Sequence, residues 1–177
     1  LHALDLGFSQ LVIGNIVWEY MEAFAAGTNQ EKRRQTTWAK LKAHYKEMNT
    51  KNRIQALTID MVRRDGKGPC MRTKGAETRN MVPFAVSLAQ EMHETSPTRH
   101  TMTVRACVAN LMDFYMLMSL DEYDVEAGSS ACKKCVGLYR ALALEAAARG
   151  RAKHWKMEPK IHMFQELAEY QARQLGN

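Results

Sequence analysis

The chain carries no strand signal: nowhere does an alternating run of Val, Ile and Thr lie between hairpin residues, which excludes sheet-based folds and leaves an all-α one. It has no long apolar run either. The best stretch, near the N-terminal end, is interrupted by Gln10, Asn15 and Glu19, short of the roughly 20 apolar residues that a membrane span needs. A charged region followed by an apolar core and a small-residue cleavage site is also missing, so no secretory leader is expected. The four cysteines are then expected as free thiols in a reducing, intracellular compartment. The glycines of "RRDGKGPCMRTKGAE" lack the spacing of a phosphate-wrapping loop, and that segment reads as the longest loop rather than as a ligand site. Internal repeats and low-complexity segments are absent from the sequence.

What is present is ordinary material for a core. Apolar residues make up 46% of the 177 positions and charged residues 25%, too apolar for a disordered chain. The length suits a single helical domain over 1–177, which we expect to be a fragment of a larger protein. Lys and Arg number 25 against 19 Asp and Glu, a net charge of +6 that favours an acidic partner such as nucleic acid.

Helical spacing of Leu11, Val12, Ile16, Tyr20 and Phe24 predicts a core helix from Phe8 to Phe24 with one buried face, entered through a short Gly-containing turn and ended by Gly27. Thr28 or Asn29 caps the next helix, whose apolar stripe of Trp38, Leu41 and Tyr45 is thin. That helix is the most basic segment. Its basic face reads as solvated, and Arg33, Arg34, Lys40 and Lys42 are its candidate nucleic-acid contacts. "IQALTIDMV" fits a short helix or an extended stretch equally well. Further helices are predicted from Ala76 to about Glu94, from about Thr98 to Ser119, from about Ser129 to Arg149, and over "PKIHMFQELAEYQARQL". The Thr98–Ser119 segment is the most apolar and is expected in the middle of an irregular bundle of about six helices.

Cys132 and Cys135 in "CKKC" have the spacing of half a zinc site, but no second close pair completes it, with Cys70 and Cys107 each alone. Helical thiols are the expected reading, and no metal ligand is assigned. The twelve methionines recur at core spacing. His162 and Glu166 stand four apart on one helix face, where they could orient a metal, a water or each other, although a plain surface pair is commoner. His2 and Asp5 stand three apart before the first helix.

Two segments carry a resemblance. "LHALDLGFSQLVIGNIVWEY" resembles the stretch after the second catalytic aspartate of DDE-type, ribonuclease-H-like DNA transposases of the CACTA-like and Kyakuja-Dileera-Zisupton-like elements. "HWKMEPKIHMFQELAEYQARQLGN" resembles their late Pro-Lys-x-His segment, which opens the helix before the last catalytic glutamate. The resemblance implies that this chain is the helical insertion between those landmarks, with His2 and Gly7 matching the first motif and Lys160 and His162 the second. It implies that His2 and His162 stand beside the metal ligands and that no catalytic residue lies in the fragment itself. Asp5 lies on the wrong side of His2 to be the aspartate. The parent would use Mg or Mn, the fragment would hold no cofactor, and the location would be nuclear. DNA is the implied partner. The alternative is a non-enzymatic all-α interaction or structural subunit that docks by its basic face on a protein partner.

Overall fold

The computed structural model describes residues 4–168, which form helices and their connections, with no strand among the described residues. A π-helical turn, Leu4–Phe8, runs into α1 (Ser9–Ala23) and is followed by α2 (Gln30–Glu47), the single turn α3 (Ile59–Val62) and α4 (Gly75–Thr95). The chain continues through α5 (Arg99–Leu117), α6 (Val125–Ala148) and α7 (Pro159–Glu166). The all-α bundle is therefore as predicted. The ambiguous segment after Ile54 resolves into an extended stretch and the α3 turn.

Local chemistry sets the helix ends. Asn29 caps α2 by accepting from the Lys32 N–H, Thr98 caps α5 by accepting from Thr101, and Asp124 caps α6 by accepting from Ala127. Pro83 lies inside α4, where it removes one intrahelical donor.

The short Gly-containing turn before the first core helix is the π-helical Leu4–Phe8, in which Gly7 is buried. α5 lies in the middle as expected, between α4 and α6, but the most completely buried helix is α1. Every residue of α1 from Ser9 to Met21 is buried, so the helix has no solvent face until its last two residues. α5, by contrast, shows Met102 and Met116 to solvent. Burial of α1 all round is possible because its polar residues find partners inside, which removes most of the cost of taking them from water.

One contiguous core runs from Leu4 to Ala168. An aromatic cluster ties the two ends of the described chain together within it. Phe8 stacks on Phe164 with ring centroids 5.0 Å apart, Phe114 meets Phe164 edge-on at 5.0 Å, and Tyr139 joins Phe8 to Trp155. Among the described residues, no helix is long and apolar enough to cross a membrane.

Candidate nucleic-acid interface

The two segments that carry the resemblance meet in space. Lys160, at the start of α7, donates from Nζ to the Leu6 carbonyl at 2.8 Å, and its stem packs on Gly7. His162 is exposed on α7 and makes no hydrogen bond or ion pair with a described residue, Glu166 included. His2 lies outside the described residues.

Asp5 is buried and fully engaged. One carboxylate oxygen accepts from the Tyr115 hydroxyl at 2.6 Å and the other from Arg79 at 2.7 Å, while Ser9 bonds the same hydroxyl at 2.8 Å. Burial first, and then the bond to Asp5, push the Tyr115 hydroxyl far above its ordinary range. A carboxylate held this way fixes the Leu4–Phe8 turn to α4 and α5.

Three of the four predicted contacts of α2, Arg33, Arg34 and Lys40, have partners on neighbouring parts of the chain. Arg33 donates to the carbonyls of Glu22 and Gly27 at 2.7 and 3.2 Å, closing the C-terminal end of α1. Arg34 pairs with Glu31 and donates to the Leu57 carbonyl at 2.6 Å. Lys40 pairs with Glu91 at 2.8 Å and lies over the Tyr20 ring. Lys42 alone of the four has only a ring contact, over Trp38. The face is solvated, as read, at Lys40 and Lys42, while Arg33 and Arg34 are half-buried and reach back to carbonyls of neighbouring segments.

A second basic surface is built from two connecting segments remote in sequence. Residues 63–72 and 151–160 come together around a cleft of about 310 Å³ lined by Arg64, Lys67, Arg72, Lys153, Lys156 and Lys160, with Glu158 as its one carboxylate. Glu158 is paired with Lys156 at 3.0 Å, and Arg64 and Arg72 stand 3.7 and 3.8 Å from Asp60. Lys67 and Lys153 are exposed and pair with no described carboxylate.

The buried polar residues of α1 hold both loops. Gln10 accepts the Met71 N–H through its backbone carbonyl and donates from its side chain to the Thr73 carbonyl, each at 2.8 Å. Asn15 accepts the Trp155 N–H at 2.7 Å, and Glu19 accepts the Trp155 indole N–H at 2.7 Å. These bonds fix Trp155 with φ at 50°, a left-handed conformation that costs a bulky residue roughly 1–3 kcal/mol. Gly14 lets the chain at Cys70–Met71 press on the helix, since a Cβ there would lie 2.5 Å from the Met71 nitrogen. Gly68 does the same between the loops, because any side chain would drive into the Lys153 carbonyl.

Glu19 has a second partner. His100 donates from Nε2 to Glu19 at 2.9 Å and from Nδ1 to Glu145 at 3.2 Å, and the bond to Glu19 is the main cause of its raised pKa. Nearby His154 is buried, which lowers its pKa, and accepts from Arg151, itself paired with Glu22.

The cysteines behave as core thiols. Cys107 and Cys135 face each other across α5 and α6 with sulfurs 3.9 Å apart, and no disulfide joins any two of the four cysteines. Burial pushes the Cys70 thiol up. No cluster of three or more His, Cys, Asp or Glu able to hold a metal occurs among the described residues. Comparison with protein-family models, curated proteins and solved structures finds no match.

Proposed function

We propose that the chain is a transposase-derived helical domain that flanks a metal-dependent DNA cleavage and strand-transfer centre and contributes contacts to the DNA backbone. The observation that carries this reading is the meeting of Leu6 and Gly7 with Lys160, residues some 150 positions apart that belong to the two resembling segments. Segments that serve one centre must converge, and unrelated helix ends have no such need. The net charge of +6 agrees with a polyanionic partner.

In this reading the chemistry of the centre lies outside this chain. Mg or Mn would need carboxylate oxygens free to coordinate, and Asp5, the acid nearest the first motif, has both of its oxygens committed to Arg79 and Tyr115. Asp5 does not fit as a metal ligand, and no catalytic step is assigned to this chain. Its part in the proposed function is to hold DNA and to keep the two motif segments together.

Two measurements test the reading. The purified chain should bind duplex DNA without sequence preference, with affinity falling steeply with salt by about 0.9 log units per log unit for each phosphate neutralised. No binding at about 50 mM salt overturns the DNA contact and favours the protein-docking subunit. With Mg or Mn and supercoiled plasmid the chain should produce no nicking. Nicking that disappears in Asp5→Asn would show that Asp5 serves the chemistry after all.

A further inference from the structure

The geometry points to the cleft between residues 63–72 and 151–160, rather than the more basic-looking helix α2, as the seat of a DNA phosphate. The inference rests on the proposed DNA contact and says where on the molecule that contact is made.

Three features separate the cleft from an accidental cluster of surface lysines. The first is charge that is available. Lys67 and Lys153 reach solvent from opposite walls and pair with no described carboxylate, while Lys156, Lys160, Arg64 and Arg72 add cationic charge around them. Phosphate binding needs donors whose charge is not already neutralised; on α2, Arg34 and Lys40 are paired with carboxylates and Arg33 is bonded to carbonyls, which leaves Lys32, Lys42 and Lys46 strung along one helix rather than gathered around a cleft.

The second feature is rigidity. Both walls hang on α1 through Gln10, Asn15 and Glu19, and the close approaches at Gly14 and Gly68 lock the first loop against the helix and against its partner loop. A pre-organised cationic cleft loses little conformational entropy when an anion enters, whereas lysines on a loose loop must be ordered first.

The third feature is position. Gly7 and Lys160 line the cleft and also form the junction of the two motif segments. A backbone phosphate seated here would lie beside the junction at which the proposed cleavage centre assembles. α2 reaches the rest of the bundle through other surfaces, against α1 and, by Lys40, α4.

The test compares charge reversals at the two surfaces of the full chain. Lys67→Glu with Lys153→Glu removes the two unpaired ammoniums without breaking a side-chain bond, and Lys42→Glu with Lys46→Glu is the matching pair on α2. We expect the cleft pair to weaken duplex binding at least tenfold and to flatten the salt dependence by about two units, and the α2 pair to change affinity less than about threefold. Equal loss in both pairs, or loss only in the α2 pair, overturns the placement while the DNA contact stands.

A second probe separates the cleft from the DNA reading. Titrating inorganic phosphate into isotopically labelled chain should shift the backbone amide signals of 64–72 and 151–158 first. Such shifts without duplex binding by the unsubstituted chain would retain the cleft as an anion site and overturn the DNA reading. Shifts elsewhere, or none, overturn the cleft. Binding of an acidic peptide in preference to duplex DNA, lost in the cleft pair, would overturn DNA as its occupant.

Discussion

In α2, Arg33 reaches back to the Glu22 and Gly27 carbonyls and Lys40 reaches across to Glu91, whereas on the paired loops Lys67 and Lys153 stand in solvent with no described carboxylate beside them. The two regions look alike in composition. They differ in what lies underneath. α2 is an outer helix with only Thr37, Leu41 and Tyr45 buried, so its long side chains serve as its attachments to the bundle. The loops are attached to polar side chains of the central helix through backbone groups and the buried Trp155 indole, which leaves Lys67 and Lys153 free. Basic charge in a sequence therefore marks a binding surface only where something else holds the backbone in place.

The largest expected effect comes from cutting that attachment. Glu19→Ala leaves the Trp155 indole N–H buried without an acceptor and His100 with Glu145 as its remaining carboxylate, and a loss of about 3 kcal/mol is expected in urea denaturation. Unchanged stability would mean that α1 does not hold the second loop. Asn15→Ala should cost about 2 kcal/mol, since the Trp155 N–H is then buried without an acceptor, and hydrogen exchange should speed up around residues 153–156. Faster exchange at the α2 amides instead would break the comparison.

Replacing Arg33 and Arg34 together by Ala should cost about 1 kcal/mol and leave the salt dependence of DNA binding close to that of the unsubstituted chain. A salt slope flattened by two units would return the phosphate contacts to α2. Lys40→Ala should change stability by no more than about 0.5 kcal/mol, as both partners of its ion pair are more than two-fifths exposed and screened.

The gentlest test is of pH. His100 has a raised pKa, so its bonds to Glu19 and Glu145 stabilise the fold fully below the ordinary histidine value and lose that effect as pH rises through the folded one. His154 runs the other way: burial lowers its pKa, so its contribution is present above the ordinary value and is lost as pH falls. Above about pH 7 only the His100 effect remains, and stability should decline with pH there in a way that His100→Gln abolishes. A decline that persists in the variant would place the titrating group elsewhere.

Helix identities were legible because apolar periodicity and capping residues act locally, as Asn29, Thr98 and the Gly27 break illustrate. The position of α1 was harder to read. Gln10, Asn15 and Glu19 look like the polar face of a half-buried helix, and their burial becomes affordable only once Thr73, Trp155 and His100 are placed around them by distant segments. The cleft was hidden for a related reason. Its walls lie nearly 90 residues apart in sequence, each unremarkable by itself, and no local pattern announces that Gly68 will rest on the Lys153 carbonyl.

The sequence by itself determined that the chain is helical, where most of its helices begin and stop, and that it carries an excess of positive charge. Each of those follows from neighbours within a few turns of one another. Only the tertiary structure decided which of the cations are consumed and which are presented, because that depends on whether a carbonyl or carboxylate from a remote segment lies within hydrogen-bond reach. Arg34 finds the Leu57 carbonyl, and Lys153 finds none.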